Sequence, residues 1–459
     1  MKRFLVLLLV AVTAFGTVFA NGDTETADAK SDEKVVITIW SGDRHDSEYV
    51  TQKIAEFNAA NDHIEIQQEI ITADYFNMIL MAYTSGNAPD IFTSTSNVPN
   101  FDFQGFVASN MLIPYPESLV NDPEFREITN LDKNVVEGVN AVDGKPYIVY
   151  GGQRSGSRLI YNKDLFEKSG ITEFPKTLED LVAVADKITK DGNGKYYGIA
   201  TCSNGGFERW FQGACTKSGI TYYDYKNGRF DFSGYREPML LAQQLFKNGS
   251  MFPGSASQNV DAMRAQFANG TFALWGNASQ EAGVFTKQFP IEDFEWGVAE
   301  LPSMTGEVEG IVEAKLQKGW AVMSSCEHPD EAFEVIRYFL SDDFLKGYVE
   351  GGYTLPVSEH VSSICDLSKS GRMADFAPVD YEGLFPAVPS VAASVGRYDN
   401  YIWNCVVNGT DVDKCIAELN KSYNEALDKE VKLGKTARVV IENYDPRNPS
   451  ANPVTFITK

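Results

Sequence analysis

Several residues at the ends of apolar runs have side chains suited to recognition rather than reaction. Flat rings stack on the apolar faces of a small molecule, and planar or charged groups bond its polar rim. Trp40 ends the run Val35-Val36-Ile37-Thr38-Ile39-Trp40 and is followed by Asp43, Arg44 and His45. Ser94, Thr95 and Asn97 follow Ile91-Phe92 in the same way, as Asn277 and Gln280 follow Trp275. Trp210 stands in Glu208-Arg209-Trp210-Phe211 beside Gly205, Gly206 and Gly213, and Tyr353 sits between Gly352 and Thr354. Trp320 starts an apolar run and is expected in the core instead.

Motifs for bond-breaking chemistry are poorly matched. The four histidines, His45, His63, His328 and His360, have no HExxH spacing, and there is no GxSxG elbow. Gly434-Lys435-Thr436 would need a glycine at Lys429 to close a phosphate loop. Asp191-Gly192-Asn193-Gly194 would need glycine at Tyr196 and glutamate at Cys202 to hold calcium in an EF-hand. No CxxC pair is present, so zinc and dithiol chemistry are disfavoured, and no cofactor or metal is expected. A secreted carbohydrate-active hydrolase or lyase stays open as the rival, because glycosidase carboxylates need not be neighbours in sequence.

The elements that must position these residues read as strands alternating with helices. After the first run, Val50, Ile54 and Phe57 recur at helical spacing, and His63 to Ile70 alternates as a strand. A second helix over about 73–84 leads to Ser85-Gly86-Asn87-Ala88-Pro89-Asp90-Ile91-Phe92, where Gly86 and Pro89 stop it. This β-α-β order implies a parallel sheet flanked by helices, with ligand loops beyond the strands' carboxyl ends. Leu159-Ile160-Tyr161-Asn162 is a further strand, Lys163 to Ser169 a short helix stopped by Gly170, and Thr177 with Asp180 caps the next helix.

Those segments carry a resemblance. Tyr161 to Ile171 with Pro175 to Leu181, the Ser85 to Phe92 segment, Asp143 to Tyr150, Met263 to Gly276 and Gly351-Gly352-Tyr353-Thr354-Leu355-Pro356-Val357 together resemble the extracellular solute-binding proteins of ABC importers. The likeness is to the large, maltose-binding-protein-like sugar-binding class. It implies an α/β, two-lobed periplasmic binding protein of type II-like architecture, each lobe a mixed sheet flanked by helices, with a hinge between them. It also implies a non-catalytic carrier that closes on a mono- or oligosaccharide and delivers it to ABC permease subunits. A chemosensory or adhesion role on the same fold is the other alternative. Ahead of Tyr161 the chain departs from the family, because Gln153-Arg154-Ser155-Gly156-Ser157-Arg158 carries two arginines. An arginine facing the cleft would suit a carboxylate or phosphate on the solute.

The 459 residues exceed a typical single domain, and the expected lobes are 35–147 with 296–354, and 148–295 with 355–459. Residues 1–20 read as a signal peptide: Lys2 and Arg3 precede an apolar run, and Val18-Phe19-Ala20 offers a cleavage site. Residues 21–34 read as a disordered leader. With no cysteine before Cys202, the product is expected to be periplasmic, untethered and monomeric. The net charge of -23 argues against nucleic acid or anionic lipid as partner. Spacing suggests the disulfides Cys202–Cys215 and Cys405–Cys415.

Overall fold

The computed structural model describes residues 34–458 apart from Asn97, Pro99, Asn100 and Asn204. The expected signal peptide, and all of the expected leader but Lys34, lie outside the described residues. Two sheets, each wrapped by helices, form the chain's two bodies.

In the first body the strand Val35–Ser41 runs parallel to both Ile64–Ile70 and Ile91–Ser94. The helix Ser47–Ala60 makes the first crossover, turning Val50, Ile54 and Phe57 inward over Ile37, Ile39, Ile64 and Ile66. Each such side chain contributes about 1.5–3 kcal/mol by leaving water. The Ser85 to Phe92 segment locks onto this sheet through Asp90. Its Oδ2 accepts from Thr38 N at 2.8 Å and Thr38 Oγ1 at 2.7 Å. The long strand Lys315–Met323 then enters antiparallel beside Ile91–Ser94, and Trp320, wholly buried, stacks on Phe339 at 4.5 Å.

In the second body the strand order is Trp296–Ala299, Arg158–Asn162, Phe272–Asn277, Tyr197–Ala200. Asn162 caps the helix Lys163–Lys168 by accepting from Leu165 N at 3.1 Å, and Leu165 and Phe166 turn into the core. Thr177 Oγ1 accepts from Asp180 N at 3.0 Å as the cap of Leu178–Gly192. The Tyr161 to Leu181 stretch is therefore scaffold.

The division between bodies differs from the expected boundaries in three places. Val149–Arg154 pairs with Lys315–Met323, so the first sheet keeps the chain to Arg154. Trp296–Ala299 pairs with Arg158–Asn162, so the second sheet keeps it past 295. Val361 and Leu384 pack into the first core, whereas Leu355 and Phe376 pack beside the second sheet. The chain crosses at Arg154 to Arg158 and again between Ala299 and Lys315, and residues 355–384 lace the two bodies together. Strand pairing decides these boundaries, and it depends on partners remote in sequence.

Cys405 and Cys415 form a disulfide between the helices Tyr398–Val407 and Val412–Lys432. The suggested Cys202–Cys215 bridge does not form. Cys202 O accepts from Phe207 N at the start of the helix Phe207–Lys217, and Cys215 lies near that helix's far end. At 1.5 Å per residue the eight residues from Phe207 to Cys215 span about 12 Å, beyond the reach of a disulfide.

Candidate functional site

The parallel strands Val35–Ser41 and Ile91–Ser94 end on the same edge of the first sheet, as the sequence pattern requires. Ser41 Oγ ties the two loops there, accepting from Asp43 N at 3.2 Å and from Thr93 Oγ1 at 3.1 Å. Trp40 is half-buried, with its carbonyl accepting from Tyr75 Oη at 2.7 Å. Beyond it lies a buried charge cluster. Lys318 Nζ stands 2.5 Å from Asp46 Oδ2 and 3.4 Å from Asp43 Oδ2, and Tyr348 Oη donates to Asp46 at 2.7 Å. Lys318 adopts φ 50°, a left-handed conformation unusual inside a strand of L-residues. Burial pushes the Asp46 carboxyl up, but Lys318 and the Tyr348 hydroxyl outweigh it and hold the group below its ordinary value.

Arg154 ends the strand Val149–Arg154 at the crossing between bodies. With the Gln317 amide oxygen turned toward it, that oxygen accepts from Arg154 Nε at 2.8 Å and Nη2 at 3.0 Å. Burial lowers the pKa of the guanidinium, whose charge is felt by Asp43 and Tyr348 from the first body and Arg209 from the second.

The second body offers the start of the helix Phe207–Lys217 and the end of the strand Phe272–Asn277. Trp210 is buried edge-on to Phe207 and Phe211, over Gly276, where a Cβ would come within 2.3 Å of the Trp210 Cβ. Trp275 is also wholly buried. Asn277 Oδ1 accepts from Gln280 Nε2 at 2.6 Å. Arg264 grips the buried Glu281 with Nε at 3.1 Å and Nη2 at 2.5 Å. Buried polar atoms in this region without a hydrogen-bond partner among the described residues include Arg209 Nε, Trp210 Nε1, Asn277 Nδ2, Ser279 Oγ and Gln280 Oε1. Buried polar groups are ordinarily bonded, so such a cluster marks a place where hydroxyls from another molecule would be welcome.

The other expected residues are dispersed. Arg44 is exposed and donates to Thr72 Oγ1. Ser94 is buried in the sheet and donates to Thr95 O at 3.2 Å. Tyr353 stacks on Tyr49 at 5.4 Å and Tyr348 at 5.6 Å, and its carbonyl meets His45 Nε2 at 3.2 Å. Asn97 lies outside the described residues. Arg158 turns away into a buried ion pair with Glu382 at 2.6 Å. Sequence reading missed Asp46, Gln317, Lys318, Tyr348 and Arg209. The signal for Lys318 was a charge inside the apolar run Leu316 to Met323; Asp46, Gln317 and Tyr348 left none.

A cavity of about 1010 Å³ lies elsewhere, lined by Arg126, Lys133, Gln153, Leu316, His360 and Glu382 among others. No Trp, Tyr or Phe lines it.

The sequence profile of the bacterial extracellular solute-binding proteins matches residues 41–344, more than half of the chain. The chain belongs to this family. This solute-binding protein is 24% identical over 266 residues to a binding protein of Brucella abortus, a match covering 54% of this chain and 60% of that one. It is 28% identical over 215 residues to the polygalacturonan/rhamnogalacturonan-binding protein YtcQ of Bacillus subtilis, covering 43% and 41%. The matches thus span less than two thirds of either relative. Among solved structures, the sugar-binding protein MalE of Xanthomonas citri superposes with a TM-score of 0.68 at 18% identity, covering 87% of this chain and 99% of that one. The cycloalternan complex of Lmo0181 from Listeria monocytogenes gives 0.63 at 20% identity, covering 86% and 100%. The two-lobed fold of the solute-binding protein is that of these neighbours. Among the described residues, no helix is long and apolar enough to cross a membrane.

Proposed function

We propose that this solute-binding protein captures a sugar or oligosaccharide between its two bodies and delivers it, unaltered, to the permease of an ABC importer. The observation that carries this reading is the cluster of unpaired buried polar atoms from Arg209 to Gln280 on the second body, with Arg209 close enough to Arg154, at the crossing between bodies, for their charges to act on each other, while Trp40 stands half-buried at a strand end of the first body. Such a surface supplies hydrogen bonds for a hydroxylated solute and a half-buried ring for its apolar face. The names of MalE, the cycloalternan complex and YtcQ, all saccharide binders, support the same class of solute. Closure follows from differential affinity: a solute touching both bodies favours the closed form only by the contacts it gains there.

On this reading the protein is a carrier and not an enzyme, works as a monomer, and is exported to the periplasm with cleavage near Ala20. A thermal-shift screen of neutral sugars, sugar acids and polyols, followed by calorimetry on the hits, tests it. One-to-one binding with the sugar recovered intact is expected. Depolymerised product would mean a hydrolase or lyase instead.

A further inference from the structure

Arg154 and Arg209 belong to opposite bodies, one ending a first-sheet strand and the other in the first turn of the helix Phe207–Lys217. They are close enough that the charge of Arg209 opposes that of Arg154. Among the described residues neither forms an ion pair. Arg154 has only the Gln317 amide, and the buried Nε of Arg209 has no partner. The other inward-facing cations are treated differently: Arg158, Lys217, Arg264 and Lys318 lie 2.6, 3.0, 2.5 and 2.5 Å from a carboxylate oxygen.

Nor are the nearby carboxylates available to neutralise the two guanidiniums. Asp46 is held by Lys318 and Tyr348, Asp43 lies 3.4 Å from Lys318, and Glu281 is gripped by Arg264. Glu208 accepts from Gly205 N at 3.0 and 3.2 Å. A chain of net charge -23 therefore keeps two guanidiniums without a direct ion pair among the described residues, Arg154 attracted through space by Asp43 and Arg209 by Glu208 and Glu281. Leaving a desolvated cation unpaired is costly, and two of like sign facing each other resist approach.

We infer that the solute is an anionic sugar whose acidic group is clasped between Arg154 and Arg209. This rests on the sugar-carrier reading and names its substrate class. A guanidinium offers a planar fork of donors that matches a carboxylate or a phosphate. With one fork on each body, the anion makes its full set of bonds only when the bodies meet. The arginine repulsion that opposes closure in the empty protein becomes an attraction to the ligand in the filled one.

Calorimetric titration of the purified protein with galacturonate, trigalacturonate, galactose 6-phosphate, galactose and galactotriose tests the inference, repeated with Arg154→Gln and Arg209→Gln. Either uronates or the sugar phosphate should bind at least about tenfold more tightly than the neutral sugars, and which of them does identifies the acid. Each variant should lose about 10- to 100-fold in affinity for the acidic sugar, the range for hydrogen bonds to charged groups. Added salt should narrow the acidic preference. Neutral sugars binding as tightly as acidic ones would overturn the inference while leaving the carrier reading intact, as would acidic-sugar affinity kept within about twofold in both variants. Failure of every saccharide would overturn both together. The wild-type preference needs no variant, so it decides the matter even if a variant folds poorly.

Discussion

Lys318 Nζ lies 2.5 Å from Asp46 Oδ2, with both side chains almost wholly buried in the first body. The pair joins the loop after the first strand to the longest strand of the same sheet, across 272 positions of sequence (318 − 46). Removing one partner of such a pair leaves an uncompensated buried charge and costs about 3–5 kcal/mol.

Asp46→Asn should accordingly lower stability at neutral pH by about that amount. The sign of its pH dependence follows from the depressed carboxyl. Because the folded-state value lies below the ordinary 3.8, the carboxylate's stabilisation is fully present above that value and is lost as pH falls through the lower one. Urea unfolding should show the gap between wild type and variant narrowing below pH 3.8. A gap that stays constant there would refute the account of this pair.

Trp40 and Trp275 should separate binding from stability. Trp40 is half-buried at the strand end, and Trp40→Ala should weaken sugar binding by about tenfold with a modest change in melting temperature. Trp275 is wholly buried, and Trp275→Ala should cost about 3–5 kcal/mol of stability, read by denaturant titration.

Much of the fold was legible because it is written in local periodicity. Val50, Ile54 and Phe57 form one helical face, and Thr177 with Asp180 is a local cap. The site was less legible. Trp210 and Trp275 follow the strand-and-helix pattern of recognition residues, yet both rings are buried, because burial depends on what the other elements bring over them. Lys318, Asp46 and Tyr348 are brought together by the sheet order, which places Lys315–Met323 beside Ile91–Ser94, and by the packing of the helix Asp342–Glu350 that carries Tyr348. No spacing within any one segment announces that contact.

Gly276 permits the close approach of Trp210 that shapes the second body's rim. Gly276→Ala puts a methyl about where the Trp210 Cβ already lies, 2.3 Å away, and should cost about 1–3 kcal/mol through displacement of the helix Phe207–Lys217. Tryptophan fluorescence should shift with it. An unchanged spectrum and unfolding midpoint would contradict the packing described.

The disulfide Cys405–Cys415 closes a short loop between two helices of the second core. Replacing both cysteines by serine should cost about 3 kcal/mol by chain-entropy arguments. Reduction of the wild type should lower its melting temperature similarly, and a melt insensitive to reductant would count against the bridge.

Small-angle X-ray scattering of the protein, with and without the saccharide giving the largest thermal shift, tests the central claim most directly. Capture between two hinged bodies predicts a smaller radius of gyration in the saturated complex, with one sugar bound per chain. One-to-one binding with an unchanged scattering profile would contradict it.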